Sequence, residues 1–77
     1  NKVFIITGGG TGVGKATALK LADMGAKLVI NYSNSEIEAK KVVEEITEKG
    51  SIVFAFKANV ANEHEVNEMI RQTIAQF

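Results

Sequence analysis

Thr7-Gly8-Gly9-Gly10-Thr11-Gly12-Val13-Gly14 is the stretch on which the rest of the chain depends. It follows the apolar run Val3-Phe4-Ile5-Ile6 and precedes Lys15 to Met24, which reads as a helix. A strand, a glycine-dense turn and a helix start together form an anion site. The first N–H groups of a helix have no partner inside it, and the aligned peptide dipoles add partial positive charge there. Glycines let the main chain turn sharply and approach a phosphate with no Cβ in the way.

From this turn the alternation of textures extends through the chain. Lys27-Leu28-Val29-Ile30 and Ile52-Val53-Phe54-Ala55-Phe56 repeat the apolar, β-branched character of Val3–Ile6. Runs without polar alternation suit strands buried on both faces of a parallel sheet. Between them lie segments of helical period. The first carries Val13, Thr17, Leu21 and Ala22 on one side, with Gly14 and Ala18 alongside and Gly25 placed to end it. The second opens at Ser35 with Glu38 as a capping box, buries Ala39, Val42, Val43 and Ile46, and ends at Gly50. The third opens at Asn62 with Glu65 as a second capping box, and its stripe is Val66, Met69, Ile70, Thr73 and Phe77.

The order β-α-β-α-β-α implies an α/β fold. It is a three-layer, Rossmann-type doubly wound parallel sheet, of which this is the first half, with strand order 3-2-1 and strands near 2–7, 26–31 and 51–57. In that arrangement the first strand pairs on both sides, and only one side finds a partner here. The chain starts at Asn1 rather than Met and stops at Phe77. The expectation is therefore that residues 1–77 are the N-terminal part of a single nucleotide-binding domain from a longer chain. Alone, such a piece is expected to be inactive and poorly stable, because conformational entropy accrues with every ordered residue while the core is small.

Composition removes several classes. The 77 residues carry no cysteine, no proline and zero formal net charge. A chain of this length buries only about 60% of its unfolded surface, so it is one small domain or part of one. Charge neutrality gives no pull toward nucleic acid or an anionic membrane, and no apolar run is long enough to span a bilayer. Lack of cysteine fits a reducing compartment, so a cytoplasmic setting is expected. One histidine, His64, lies between Glu63 and Glu65 at a helix start and reads as solvated. Asp23 is the only aspartate. No metal-ligand cluster and no Ser-His-Asp arrangement follow from such a set.

The glycine turn has two chemical readings. Gly9 through Gly14-Lys15 matches most of a P-loop, G-x-x-x-x-G-K-S/T, but Ala16 stands where a hydroxyl must hold Mg²⁺, and Thr17 is one residue late, about 100° further round the helix. A nucleotide hydrolase is thus the alternative, with a non-catalytic nucleotide-binding domain as a third reading. The other pattern, T-G-x-x-x-G-x-G from Thr7 to Gly14, suits a dinucleotide: Gly8 for the tight turn, Gly12 for reach to a pyrophosphate, Gly14 for close packing of helix on sheet.

With its surroundings, "TGGGTGVGKATALKLADMGAKLVI" resembles the short-chain dehydrogenase/reductases, whose signature is T-G-x-x-x-G-I/V-G, a helix, and "G-A" before the second strand. In texture it is most similar to the 3-oxoacyl-(acyl-carrier-protein) reductase-like members, with "NYS" after the second strand and an E/K-rich helix beyond. The resemblance spans essentially the whole chain. It implies an NAD(P)-dependent oxidoreductase moving hydride between the nicotinamide cofactor and a small carbonyl or alcohol substrate, free or bound to an acyl carrier, in a homo-oligomer. It also implies cofactor contacts from Gly8, Gly10, Thr11, Gly12 and Val13, with Asn31, Tyr32 and Ser33 near the adenosine ribose and Asn59 and Val60 at the adenine. Many members have Asp where Asn59 stands; an amide can still bond the adenine edge. Asn31, Tyr32, Ser33 and Asn59 are also residue types that favour loops and turns in any protein. The family's catalytic Ser, Tyr-x-x-x-Lys and Asn find no match: the only tyrosine is Tyr32, and Glu36 rather than Lys follows it by four. NADP is expected over NAD, because no acidic residue ends the second strand to bond a ribose 2′-OH and repel a 2′-phosphate. Lys15 is the cation that would have to reach across.

Overall fold

A computed structural model describes residues 2–8 and 12–77; Asn1, Gly9, Gly10 and Thr11 lie outside the described residues. Three strands alternate with three helices: β1 Val3–Thr7, α1 Gly12–Asp23, β2 Lys27–Tyr32, α2 Glu36–Glu48, β3 Val53–Lys57 and α3 Glu63–Gln76. The sheet runs β1-β2-β3 with both pairings parallel, the expected order read from its other edge. Ile5, Val29 and Phe54 lie abreast, as do Ile6, Ile30 and Ala55.

Side chains alternate across the sheet, so the register assigns them to two cores. On one face Leu28 and Ile30, flanked by Phe4, Ile6, Tyr32 and Val53, pack under Ala18 and Ala22 of α1 and Ala39, Val42 and Ile46 of α2. On the other, Val29 packs with Ala58, Met69 of α3, Phe54, Phe56 and Phe77. The Phe54 and Phe77 rings sit 5.5 Å apart at a tilt of 46°, and the Lys27 ammonium lies over Phe77. Helices on both faces of a parallel sheet make the three layers anticipated.

Four local expectations need correction. Only β2 is buried on both faces; Val3 and Ile5 of β1 are exposed, and β3 is half-buried. Among the described residues each outer strand lacks a neighbour on one side, and α3 spans only part of the second face. Secondly, α1 starts at Gly12, not Lys15, and its buried line is Ala18 and Ala22, whereas Val13 is 84% exposed and Thr17 exposed. The smallest side chains, not the bulkiest apolar ones, face the sheet, which lets the helix approach it closely. Thirdly, Ser35 does not cap α2 through its side chain; its backbone (φ −98°, ψ 56°) is outside the extended region a capping residue adopts. Fourthly, the box at α3 is half made. Asn62 Oδ1 accepts from the Glu65 N–H at 3.1 Å, but the Glu65 carboxylate accepts from the Asn59 N–H at 3.0 Å rather than from Asn62. The helix ends behave as read: Gly25 and Gly50 adopt φ of +84° and +87°, the left-handed turn after a helix.

Candidate functional site

Parallel strands joined by helices place every strand-to-helix turn at the same sheet edge. Beyond the carboxyl ends of β1, β2 and β3 those turns enclose a cleft of about 380 Å³, with walls from Thr7 and Gly8, from Asn31 to Ser35, and from Ala58 to Val60. In open α/β sheets the crevice outside the carboxyl ends of the strands is where ligands bind.

Each wall has its own construction. Gly8 has φ +66°, and its N–H donates to the Asn31 carbonyl at 3.1 Å, which ties the glycine turn to β2. Gly12, with φ +54°, opens α1, and no acidic side chain occupies that helix's first turn. Among the described residues nothing lies within 4 Å of where a Cβ would stand on Gly8 or Gly12. At both glycines it is the positive φ, not a close neighbour among the described residues, that disfavours a side chain.

The middle wall divides its residues by strand alternation. Asn31 points away from the face that Leu28 and Ile30 cover; it is 3% exposed, and its Nδ2 donates to the Ala58 carbonyl at 3.0 Å and, longer, to that of Phe56 at 3.4 Å. Its amide group is thus committed to holding β2 against β3. Tyr32 lines the cleft, but its ring also packs on the core under α1 and α2. Ser33 and Asn34 are exposed at the rim. Glu36, the first carboxylate after β2 in the sequence, pairs with Lys40 along α2 at 2.8 Å and is not part of the cleft wall. Lys40 holds the Glu36 carboxyl below its ordinary value, first by hydrogen bonding and then by its charge, with a smaller pull from Lys57; the same contact raises Lys40.

The third wall is an Asx turn. Asn59 Oδ1 accepts from the Ala61 N–H at 2.9 Å, while the backbone N–H of Asn59 donates to Glu65. The acceptor that the sequence reading offered to an adenine edge is engaged inside the loop, and only the amide's donors remain. Val60 is 56% exposed.

Of the residues singled out from sequence, the fold thus brings Gly8, Asn31, Tyr32, Ser33, Asn59 and Val60 to one cleft. Gly12, Val13 and Gly14 form the first turn of α1 and do not line it; Gly10 and Thr11 lie outside the described residues. Thr7, Asn34, Ser35 and Ala58 also line it. Thr7 heads the glycine pattern, and Asn34 and Ser35 follow the second strand as donors and helix start; only Ala58 carried no chemical signal. Among the described residues no group of His, Cys, Asp and Glu could hold a metal ion, and no helix is long and apolar enough to cross a membrane.

The family model for short chain dehydrogenases matches residues 2–77. This chain belongs to the short-chain dehydrogenase family. It is 46% identical to 3-oxoacyl-(acyl-carrier-protein) reductase FabG of Staphylococcus epidermidis over its whole length, and covers 32% of that protein. It is 43% identical over 74 residues to the short-chain dehydrogenase/reductase homolog YusS of Bacillus subtilis, covering 96% of this chain and 68% of that one. Among solved structures, a dehydrogenase/reductase from Sinorhizobium meliloti superposes with a TM-score of 0.94 at 33% identity, over 99% of this chain and 30% of that one. A 3-ketoacyl-ACP reductase from the same organism does so with a TM-score of 0.89, also at 33% identity, over 97% of this chain and 29% of that one. The chain thus spans about a third of the length of most of these relatives. Family membership sets aside the P-loop hydrolase.

Proposed function

We propose that this chain is the cofactor-holding part of an NAD(P)-dependent oxidoreductase, a single Rossmann-type domain continued elsewhere in its protein, acting on a carbonyl or alcohol substrate. The observation that carries the reading is the cleft at the carboxyl ends of the three strands, walled by the glycine turn, the end of β2 and the Asx turn after β3. A diphosphate would lie beside Gly8 and Gly12, where the first N–H groups of α1 would receive it. Gly10, Thr11, Gly12 and Val13 would contribute main-chain contacts there, and Gly14 would let α1 lie close to the sheet. Ser33 and the peptide of Tyr32 would face the adenosine ribose. Asn59, through its amide donors, and Val60, as an apolar surface, would face the adenine. Asn31 would set the spacing of the walls rather than touch the cofactor. A bound nicotinamide would give hydride to a carbonyl or take it from an alcohol; the proton that moves with it needs groups that these 77 residues do not carry in the family's pattern.

NADP(H) is favoured over NAD(H), since no acidic side chain lies between Asn31 and Ser35, and Glu36, the next residue, is bound to Lys40. The relatives named 3-oxoacyl-(acyl-carrier-protein) reductase support a substrate of that class; a homo-oligomeric enzyme is part of the same proposal. The test is kcat/KM for NADPH and NADH with one 3-oxoacyl thioester at fixed ionic strength, using the full-length protein. No oxidation of either nucleotide, with no nucleotide binding by titration, would overturn the reading. A second reading, nucleotide binding without chemistry, is favoured by the short Bacillus subtilis relative, of which this chain covers 68%. Tight binding without turnover on any carbonyl substrate would select it.

A further inference from the structure

Preference for NADP(H) calls for a cation that attracts the 2′-phosphate as well as the lack of a carboxylate that repels it. Lys15, in the first turns of α1, does not line the cleft, and Lys40 is engaged with Glu36. Register supplies another candidate. Lys57, the last residue of β3, is the direct cross-strand partner of Tyr32, the last residue of β2. Partners in register point to the same face, so Lys57 and Tyr32 stand side by side under the start of α2. The next residue, Ala58, donates its N–H to the Tyr32 carbonyl at 2.9 Å and is itself part of the cleft wall. Lys57 no more lines the cleft than Lys15 does, but it directly precedes the wall residue Ala58; it is exposed and, among the described residues, makes no ion pair. Its ammonium, on a flexible four-carbon stem, acts as a movable point charge. In the first turn of α2, Lys57 adds a small pull to the lowering of the Glu36 carboxyl, behind the larger effect of Lys40.

We infer that Lys57 is the specificity-determining cation for a nucleotide carrying a 2′-phosphomonoester, pairing with that phosphate at the Tyr32–Ser33 rim of the cleft. The inference rests on the dinucleotide reading above. It requires three things of the rim, and each is present: a cation adjoining the end of β2, neutral donors at Ser33 and Asn34, and a carboxylate at Glu36 that is already paired. Because the pair is solvent-exposed, its effect is modest and screened by salt.

The experiment is isothermal titration of the full-length protein with adenosine 2′,5′-bisphosphate and adenosine 5′-monophosphate, for the unmodified protein, K57Q, K57R and K15Q. The expected result is tighter binding of the bisphosphate by the unmodified protein. In K57Q the bisphosphate-to-monophosphate ratio falls about fivefold, the upper end for an exposed ion pair, with the monophosphate affinity and the melting temperature unchanged. K57R restores the ratio, and added salt narrows it in the unmodified protein more than in K57Q. An unchanged ratio in K57Q, or a loss in K15Q instead, overturns the inference and leaves the dinucleotide reading standing. Failure of the unmodified protein to bind either nucleotide overturns both.

Discussion

The Asn31 amide donates to the Ala58 carbonyl at 3.0 Å, and through that bond the end of β2 is fixed against the loop that follows β3. Asn31 and Ala58 are 3% and 1% exposed, so the bond is made away from water. The Asn31 carbonyl meanwhile accepts from Gly8 at 3.1 Å. One residue therefore sets the distance between all three walls of the cleft.

Replacing Asn31 should be costly in a way that depends on charge. Asn31→Ala strands the buried Ala58 carbonyl, a loss of about 1–3 kcal/mol. Asn31→Asp keeps the shape but turns a donor into an acceptor facing two carbonyls, and should destabilise at least as much at neutral pH. Chemical denaturation of the full-length variants measures both. An Asn31→Asp protein as stable as the unmodified one would mean that the amide is not the clamp described.

Gly8 yields a prediction that separates conformation from ligand space. Its φ of +66° disfavours any side chain, by about 1–2 kcal/mol for a left-handed residue. No described atom lies within 4 Å of the added Cβ, so Gly8→Ala should cost no more stability than that. Nucleotide affinity should fall further, because the methyl group enters the space a phosphate would use. Thermal melting with and without nucleotide distinguishes the two effects; an affinity loss no larger than the stability loss would argue against a phosphate there.

Much of this was legible in the chain because the decisive patterns are local. Three apolar runs, the glycines that end α1 and α2, and the Ala39–Val42–Ile46 stripe need only near neighbours to declare themselves. The exceptions are long-range. Asn31 reads as a loop residue until β3 arrives, since the carbonyls that bury its amide are 25 and 27 residues away. Lys57 gains its position only from pairing with Tyr32. The buried line of α1 was misplaced because Ala18 and Ala22 carry little hydrophobic signal, yet their small volume is what suits them to close contact with the sheet. The exposure of Val3 and Ile5 depends on how far α3 extends across its face, which no pattern within β1 encodes.

A carboxylate at the rim should reverse nucleotide choice. Ser33 is exposed and outside the strand, so Ser33→Asp introduces charge without removing core packing. Tyr32→Asp is a poorer probe, since the Tyr32 ring packs on the core. A carboxylate at this point accepts from a ribose 2′-OH and repels a 2′-phosphate. The ratio of kcat/KM for NADPH to that for NADH should fall roughly tenfold, about 1.4 kcal/mol of discrimination. An unaltered ratio would place the ribose elsewhere.

The two capping boxes of similar sequence should respond differently. Asn62 Oδ1 accepts from the Glu65 N–H, so Asn62→Ala should cost about 1 kcal/mol. Ser35 makes no such bond, and Ser35→Ala should change stability by less than about 0.5 kcal/mol. Equal losses at the two positions would contradict the observed difference between the helix starts.

The last prediction concerns pH and the Glu36–Lys40 pair. Lys40 donates to the Glu36 carboxylate at 2.8 Å and lies beside it as a cation, so the folded state holds Glu36 below its ordinary value of 4.5. A carboxyl whose folded pKa is depressed adds stability above its unfolded pKa, and that contribution is lost as pH falls through the folded pKa. Lys40, raised above its ordinary 10.5, contributes the mirror image: full below that value and lost as pH rises through the raised one. Between the two limits the pair is intact, which includes neutral pH. Both groups are fully exposed, so the effect is small and vanishes in high salt. Glu36→Gln should therefore melt slightly lower than the unmodified protein at pH 7 and low ionic strength, with the difference closing as the pH is taken below the folded pKa of Glu36. The same substitution should leave the NADPH-to-NADH ratio almost unchanged, because the carboxylate it removes already faces Lys40. A large gain in NADPH use by Glu36→Gln would show instead that Glu36 repels the 2′-phosphate, and that Lys40 does not neutralise it.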